Sequence, residues 1–385
     1  MSQMHFDWIE TDADLAQQAQ QWLSEAYIAV DTEFFRERTY YAALGLIQVA
    51  HSRGVVLVDP LAIPNWADVL RPVLLSDQVE KVFHAGEEDL EIFARALGEP
   101  LKAVRDSQFL FGLISAEPGI SYIKLVAQRL NLSLEKSQTR SDWLQRPLSD
   151  AQCHYAAADV AYLYQIYPQL KQDVAQLQRW SWMVEEGEAM AAQAMPKPVN
   201  QYYLNLRQGA DLKGNRLWLL QQLAAQRELR CQQLDRFRKG IVSDSDLVLM
   251  ARHRPTSARE LALLIQTRPS VLRHEQDWML RLIKQSHTIT QSDYPPAIVP
   301  PMPRAWAGRF KQFKQALRRL AEAAQLPPEY LSRKQHLEAF FWHWVDQQKM
   351  VIPEPWQGWR WQLFGETAQN ALPSTEDVIL MKEAL

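Results

Sequence analysis

Apolar and polar positions change rhythm several times along this chain, and each change predicts an element. Tyr27-Ile28-Ala29-Val30 is apolar and β-favouring until it meets Asp31-Thr32-Glu33, which predicts a buried strand ending near an acidic pair. Leu44 to Val49 and Val55 to Val58, each bounded by turn-like residues, predict neighbouring strands of the same sheet. Val79 to Phe83 is a further apolar segment, and it passes through Ala85-Gly86 into a helical pattern with Leu90, Phe93 and Leu97 on one side. Ala151 to Ile166 is alanine-rich, with Leu163 and Ile166 on its apolar side. From Leu217 onward strand-like alternation does not persist: Leu217, Leu220 and Leu223, then Leu247, Met250 and Ala251, then Leu261 and Leu264, then Leu280 and Ile283 predict several short helices. Trp306, Phe310, Phe313, Leu317 and Leu320 then recur at helical spacing, a stripe that reads as core rather than as a platform for stacking bases. Arg309, Lys311, Lys314, Arg318 and Arg319 flank it and leave a basic face toward solvent.

Proline punctuates this pattern twice. Met195-Pro196-Lys197-Pro198 interrupts helical spacing, and the segment from Tyr294 to Pro303 is too proline-dense to be other than an extended linker. Three domains are expected: 1–190, then a linker over 191–208, a helical module over 209–290, a proline-rich linker over 291–304, and a second helical module over 305–378.

The acidic positions carry the candidate chemistry. Asp31 and Glu33 lie two apart on a strand, so they share a face, with about 6.6 Å of rise between them, while Thr32 is expected to point away. Asp89 falls in a first helical turn, and Tyr155 and Asp159, four apart, stack on one helix face. Each piece has a plainer reading: Asp-X-Glu as a solvated turn, Asp89 as an acid favoured by the helix dipole, the Tyr–Asp pair as incidental. Together they form a set of oxygen donors suited to two hard divalent cations, the arrangement that phosphodiester hydrolysis uses to stabilise both the attacking and the leaving oxygen. In that reading the Tyr155 hydroxyl orients a water. His84, His336 and His343 have no cysteine or acidic cluster at zinc-ligand spacing, and no glycine-rich phosphate loop or Gly-X-Ser-X-Gly elbow occurs. No nucleotide cofactor or ATP hydrolysis is expected.

Charge adds an asymmetry that the net value of −3 conceals. Residues 1–190 carry 15 Lys plus Arg against 27 Asp plus Glu, whereas 191–385 carry 27 against 18. Opposed halves fit an anionic partner held by one and cut in the other, although a basic solvated surface is the plainer alternative. No stretch approaches the roughly 18 apolar residues of a membrane helix, and the N-terminal residues show no basic region followed by an apolar core. Cys153 and Cys231 fall in different expected domains and read as reduced, so a cytoplasmic location is expected.

Asp31-Thr32-Glu33-Phe34, Leu46-Ile47-Gln48, His84 to Leu90 and Tyr155-Ala156-Ala157-Ala158-Asp159-Val160 resemble the exonuclease motifs of the DEDDy class. Lys136 to Leu148, followed by Gln152 and Tyr155, is similar to the bacterial ribonuclease D family, and Ala251 to Leu261 resembles its HRDC domain. Gln226-Arg227-Glu228 lacks a tryptophan often found before that arginine, and Leu331-Ser332-Arg333-Lys334 resembles a second HRDC copy.

The resemblance implies an α/β, ribonuclease-H-like mixed sheet flanked by helices over 1–190, followed by two all-α HRDC-like domains. It implies a 3′→5′ exoribonuclease releasing 5′-mononucleotides from RNA, with tRNA precursors as substrates. Two divalent metal ions, Mg2+ or Mn2+ in its place, would serve it, in a monomer. Asp31 would be shared by both ions, Glu33 and Asp159 would complete the site of the attacking water, Asp89 would support the second ion, and Tyr155 would position the water. Glu87 departs from the small polar residue that the family pattern leads one to expect. A DNA-directed 3′→5′ exonuclease and a non-catalytic RNA-binding protein are the alternatives, the latter weakened by the presence of all four acids and Tyr155.

Overall fold

Residues 5–134, 141–331 and 333–383 are described by a computed structural model of the chain. Lys136-Ser137-Gln138-Thr139-Arg140, part of the ribonuclease D-like segment, lies outside the described residues. The chain divides into two units: Met1–Phe35, Ala43–Pro196 and Ala305–Leu385 in the first, Arg36–Ala42 and Lys197–Arg304 in the second.

The first unit opens with β1 (Phe6–Ile9), α1 (Asp12–Trp22), β2 (Tyr27–Phe35), β3 (Ala43–His51) and β4 (Gly54–Val58). It continues with α2 (Trp66–Leu74), β5 (Glu80–Phe83), α3 (Glu87–Leu97), β6 (Val104–Asp106), α4 (Ser107–Ser115), α5 (Tyr122–Leu130), α6 (Asp150–Gln176) and α7 (Trp180–Gln193). The strands form one mixed sheet in the order β1-β4-β3-β2-β5-β6. The hairpins β2–β3 and β3–β4 are antiparallel, and β1, β5 and β6 join in parallel. The three apolar segments predicted as strands are strands, and the further apolar segment Val79 to Phe83 also contains one, β5; β1 and β6, of four and three residues, are too short to display a period.

Alternation in β2 decides which way its acids face. Ile28 and Val30 enter a core with Ile47, Val49, Phe83, Leu90 and Phe93, on the side where α3 packs. Asp31 and Glu33 therefore belong to the opposite face, and α6 packs on the sheet through buried Ala156, Ala157 and Val160. Helix α6 starts at a capping box in which Ser149 accepts from the Gln152 amide and Gln152 accepts from Ser149.

An ion-pair network ties α6 to the far end of the sheet. Glu80 accepts from Tyr167 Oη at 2.6 Å, Lys171 Nζ at 2.6 Å and Arg105 Nε at 3.2 Å. Burial pushes the Glu80 carboxyl up, but Lys171, Tyr167 and Arg105 outweigh it and hold the group below its ordinary value of 4.5. A carboxyl held low in the folded state stabilises the fold above its unfolded value, and that contribution disappears as pH falls through the folded value. The melting temperature of wild type should therefore exceed that of Glu80→Gln near neutrality, and the gap should close below about pH 4. Thermal melts of both proteins across that range check this; a constant gap would contradict it.

The second unit is helical: α8 (Gly214–Leu234), α9 (Asp244–His253), α10 (Ala258–Leu264) and α11 (Pro269–Gln285), with short 3-10 turns between. No strand occurs among its described residues from Lys197 to Arg304, as the spacing predicts. Its core joins Leu217, Leu220, Leu223, Leu247, Met250 and Met279. Arg227 and Glu228, which follow the position of the missing tryptophan, are buried, and Glu228 is bridged by both Arg238 Nε at 2.7 Å and Tyr40 Oη at 3.0 Å.

The first unit ends with α12 (Ala307–Ala323), α13 (Pro328–Leu331), α14 (Lys334–Gln347), α15 (Trp359–Asn370) and α16 (Thr375–Glu383). Trp306, Phe310, Phe313 and Leu317 are buried, so the aromatic stripe is core. These helices dock on α4 and α7. Tyr330 stacks on Phe109 at 4.4 Å and donates its hydroxyl to the Phe109 carbonyl at 3.1 Å, while Trp359 stacks on Trp182 at 4.8 Å. Gly112 permits the approach, since a Cβ there would collide with the Tyr330 hydroxyl.

Candidate active site

The acids reach one sheet end from three elements. Asp31 and Glu33 come from β2, directly opposite Gln48 and Leu46 of β3, and the register shifts immediately after Glu33, a bulge that bends the strand where the acids stand. Asp89 is the third residue of α3 and is buried. Thr32 does face the other side of the sheet, yet it does not leave the site: its hydroxyl donates to Asp89 Oδ1. Thr32 thus points away from Asp31 and Glu33, as expected, and gains a contact that the spacing does not predict. Because α3 packs on the Thr32 face, the residue between the two strand acids is the one that reaches the third.

The turn before α3 is held from below. Asp106 accepts from the Gly86 amide at 3.0 Å through Oδ2 and from the Phe109 amide at 2.9 Å through Oδ1. Burial pushes this carboxyl up to about 6, against four backbone amides that favour its charged form. A Cβ at Gly86 would lie 2.5 Å from Phe83 Cβ, so only glycine lets the chain turn this tightly into the helix. His84, in the same turn, is a structural histidine: Nδ1 is 2.9 Å from Ser107 Oγ, its ring meets Tyr122 edge-on, and burial holds it down to about 4.

Asp159 and Tyr155 lie one turn apart on α6, and the Tyr155 hydroxyl hydrogen-bonds the Asp159 carboxylate. The Tyr155 ring lies 6.2 Å from that of Trp143. Trp143 is placed by Arg146, which forks onto Asp59 with two bonds of 2.6 Å and onto the Gly45 carbonyl at 2.6 Å. Gly45 has to be glycine because a Cβ there would sit 2.5 Å from the Trp143 carbonyl oxygen.

Electrostatics shows that the predicted acids share one space. Burial raises the Asp31 carboxyl well above the ordinary range, and the charges of Asp89, Asp159 and Glu33 raise it further. Glu33 is pushed up to about 9 by burial and by Asp159 and Asp89. Asp89 and Asp159 are also raised, by burial above all. No Lys or Arg figures among the groups that shift these four acids. Two residues to which the sequence reading gave no role belong here. Tyr122, which donates to the Ala158 carbonyl at 3.0 Å, feels both Asp159 and Asp31. Gln48, buried opposite Asp31, has a side-chain amide without a partner. A tyrosine opening a helix and a glutamine in an apolar strand carry no periodic signal; a polar residue inside a β-run is the one available hint for Gln48.

Four neighbouring carboxylates, Asp89 buried and Asp31, Glu33 and Asp159 half-buried, are costly to hold charged together unless cations join them. Hard oxygen donors, with no histidine or cysteine among them, fit hard divalent ions. Among the described residues no group of three or more His, Cys, Asp or Glu side chains is gathered closely enough to hold a metal ion as it stands.

A mixed six-stranded sheet with this acidic end is matched over residues 6–175 by the family described as 3′-5′ exonuclease, and residues 305–368 are matched by the ribonuclease D C-terminal HRDC domain. The fold and site thus define a hydrolytic 3′-5′ exonuclease, whose family uses divalent metal ions. Ribonuclease D of Pseudomonas paraeruginosa is 34% identical over 95% of this chain and 97% of its own, and that of Escherichia coli 31% identical over 96% and 99%. The crystal structure of Escherichia coli RNase D superposes with a TM-score of 0.87 at 29% identity, covering 96% of this chain and 98% of that one. The catalytic core of RRP6 from Trypanosoma brucei shares the fold, with a TM-score of 0.55 at 21% identity over 74% of this chain and 80% of that one. The chain belongs to the ribonuclease D family and is an exoribonuclease of that type.

Proposed function

We propose that this exoribonuclease trims the 3′ ends of tRNA precursors to 5′-mononucleotides in the cytoplasm, as a monomer, using two Mg2+ ions for which Mn2+ can substitute. The observation that carries the reading is that Asp31, Glu33, Asp89 and Asp159 are all raised, Asp31 and Glu33 in part by the charges of Asp89 and Asp159, with no Lys or Arg among the causes. Asp31 would be shared between the ions, Glu33 and Asp159 would complete the one beside the attacking water, and Asp89 would hold the other. The ions would supply electrostatic stabilisation of charge on the entering and leaving oxygens.

The remaining work falls to the chain itself. Tyr155, anchored to Asp159, presents its phenol where a water is oriented for attack, and Trp143 limits the movement of its ring. Thr32 restrains Asp89 through a hydrogen bond to Oδ1. Tyr155→Phe should lower kcat by up to about a hundredfold, the scale of a misplaced reactant, while metal affinity stays within a few-fold. Isothermal titration with Mn2+ beside steady-state kinetics separates the two; loss of metal binding would give Tyr155 a ligand role instead.

Domains over 1–190, 209–290 and 305–378 belong to the same reading, with the helical domains gripping RNA. Residues 197–304 hold 17 Lys plus Arg against 9 Asp plus Glu, and residues 305–385 only 10 against 9. The long-range attraction for RNA therefore resides chiefly in the second unit, and affinity should weaken as salt rises. The decisive experiment is product analysis on a 3′-extended tRNA with Mg2+ and with chelator, beside matched single-stranded RNA and DNA. Release of 5′-mononucleotides from the RNA 3′ end, with Mg2+ only, supports the reading; preference for DNA would favour a repair exonuclease.

A further inference from the structure

The C-terminal helices hold a feature that catalysis leaves unused. A cleft of about 490 Å3 opens between α12, α13 and the start of α14, within the roughly 300–1,000 Å3 range of ligand sites. Its floor is apolar, from Leu317, Leu331 and Leu337, all buried. Its rim carries Lys311, Lys314, Arg318, Arg333 and Lys334 against one acid, Glu329. Beyond the rim, Glu322 pairs with Arg318 at 3.0 Å and Glu338 with Lys334 at 3.8 Å. Among the described residues Lys311 and Lys314 have no carboxylate partner, and Lys314 lies over the Phe310 ring. A cluster this basic is the more notable because residues 305–385 as a whole are nearly neutral.

One side of this cleft touches the first turn of α3, the helix that carries Asp89, within the same unit. Arg333 Nη2 lies 3.2 Å from Glu87 Oε1, and Glu87 opens α3 two residues before Asp89. Glu87 is the position where the chain departs from the small polar residue of the family pattern, and its partner explains the choice. Both side chains are about two-thirds exposed or more, at 67% and 73%, so the pair is weak and exchangeable for a stronger anion.

We propose that this cleft is a second RNA-binding site, which holds the sugar-phosphate backbone of single-stranded RNA upstream of the 3′ end, with an RNA phosphate displacing Glu87 from Arg333. Charge complementarity and the contact with the α3 start favour a polyanion whose end is being consumed beside α3. The apolar floor offers riboses and bases a dry surface, without hydrogen-bond donors that would select a sequence. This inference rests on the exoribonuclease reading. It makes the cleft a determinant of KM for long substrates and not of the chemical step.

The test uses the full chain with Lys311, Lys314 and Lys334 all replaced by Ala, a fluorescein-labelled oligoadenylate about twelve nucleotides long, and a diadenylate. With chelator present to prevent turnover, the triple variant should bind the longer RNA roughly tenfold more weakly near 0.1 M salt, with a salt slope shallower by about 2. With Mg2+, its rate on the diadenylate should stay within twofold of wild type, and restoring charge as Arg at the three positions should restore the slope. Glu87→Gln, which removes the carboxylate beside Arg333, should bind the longer RNA two- to threefold more tightly. Equal affinity and slope in the triple variant would overturn the proposal. A parallel fall on the diadenylate, or an acidic peptide competing better than RNA, would overturn it too, and binding by Glu87→Gln no tighter than wild type would overturn the role of Arg333. If wild type failed to shorten RNA with Mg2+, the exoribonuclease reading would fall separately, because the binding comparison needs no turnover.

Discussion

Asp31→Asn should abolish hydrolysis at any Mg2+ concentration while leaving RNA binding intact. Asp31 is the acid on which the charges of all three others act, and it lies on the strand that β3 and β5 flank. Replacing its carboxylate with an amide removes a negative donor but keeps the shape. It also relieves repulsion that burial makes severe, so the fold should be no less stable and is expected to melt at the same temperature or higher. The combination of a rate loss of at least roughly 10^2- to 10^3-fold with undiminished stability is what separates a functional acid from a structural one. Single-turnover degradation of a labelled RNA, a filter-binding isotherm and a thermal melt of the same preparation would establish it. Full activity of Asp31→Asn, or of Asp159→Asn, would remove the basis for the assignment of the site.

Arg146→Ala should carry the second large effect, in stability first and activity second. The guanidinium is one-quarter exposed, its Asp59 partner 7%, and burial pushes the Asp59 carboxyl up while Arg146 holds it below its ordinary value. Removing the arginine strands a nearly buried charge and also frees the Gly45 and Trp143 carbonyls that it bridges. The expected cost is about 2 to 3 kcal/mol, somewhat less than for a fully buried pair because water reaches the vacated arginine position. Activity should fall as well, since Trp143 flanks Tyr155. The double replacement Arg146→Met with Asp59→Leu should recover most of the stability, because two apolar groups leave no orphaned charge. Denaturant titration of the single and double variants measures this; equal instability of both would show that the carbonyl contacts matter more than the charges.

Much of the site is legible in the amino-acid sequence because its pieces are local. Asp31 and Glu33 follow an apolar β-run, Asp89 opens a helix, and Tyr155 with Asp159 keeps helical spacing, so residue type and period are enough to select them. Gln48 and Tyr122 are not selectable in this way, since what brings them near the acids is pairing across strands and packing between helices. Thr32 turns away from Asp31 and Glu33, as strand alternation requires. The sheet simply has a helix on that face too, and that helix supplies Asp89.

Sequence alone determined the strands β2, β3 and β4, the all-helical character of residues 209–290, the burial of the Trp306 to Leu317 stripe and the donor chemistry of the acids, because each follows from period or residue type within a few turns of chain. Tertiary structure alone decided that Glu87 meets Arg333 from 246 residues away, that Arg146 reaches Asp59 across 87, and that Tyr330 needs Gly112 beneath it. Such contacts depend on how surfaces fit once elements are packed, and no local pattern encodes the partner of a lone charge or the place where a missing Cβ is required.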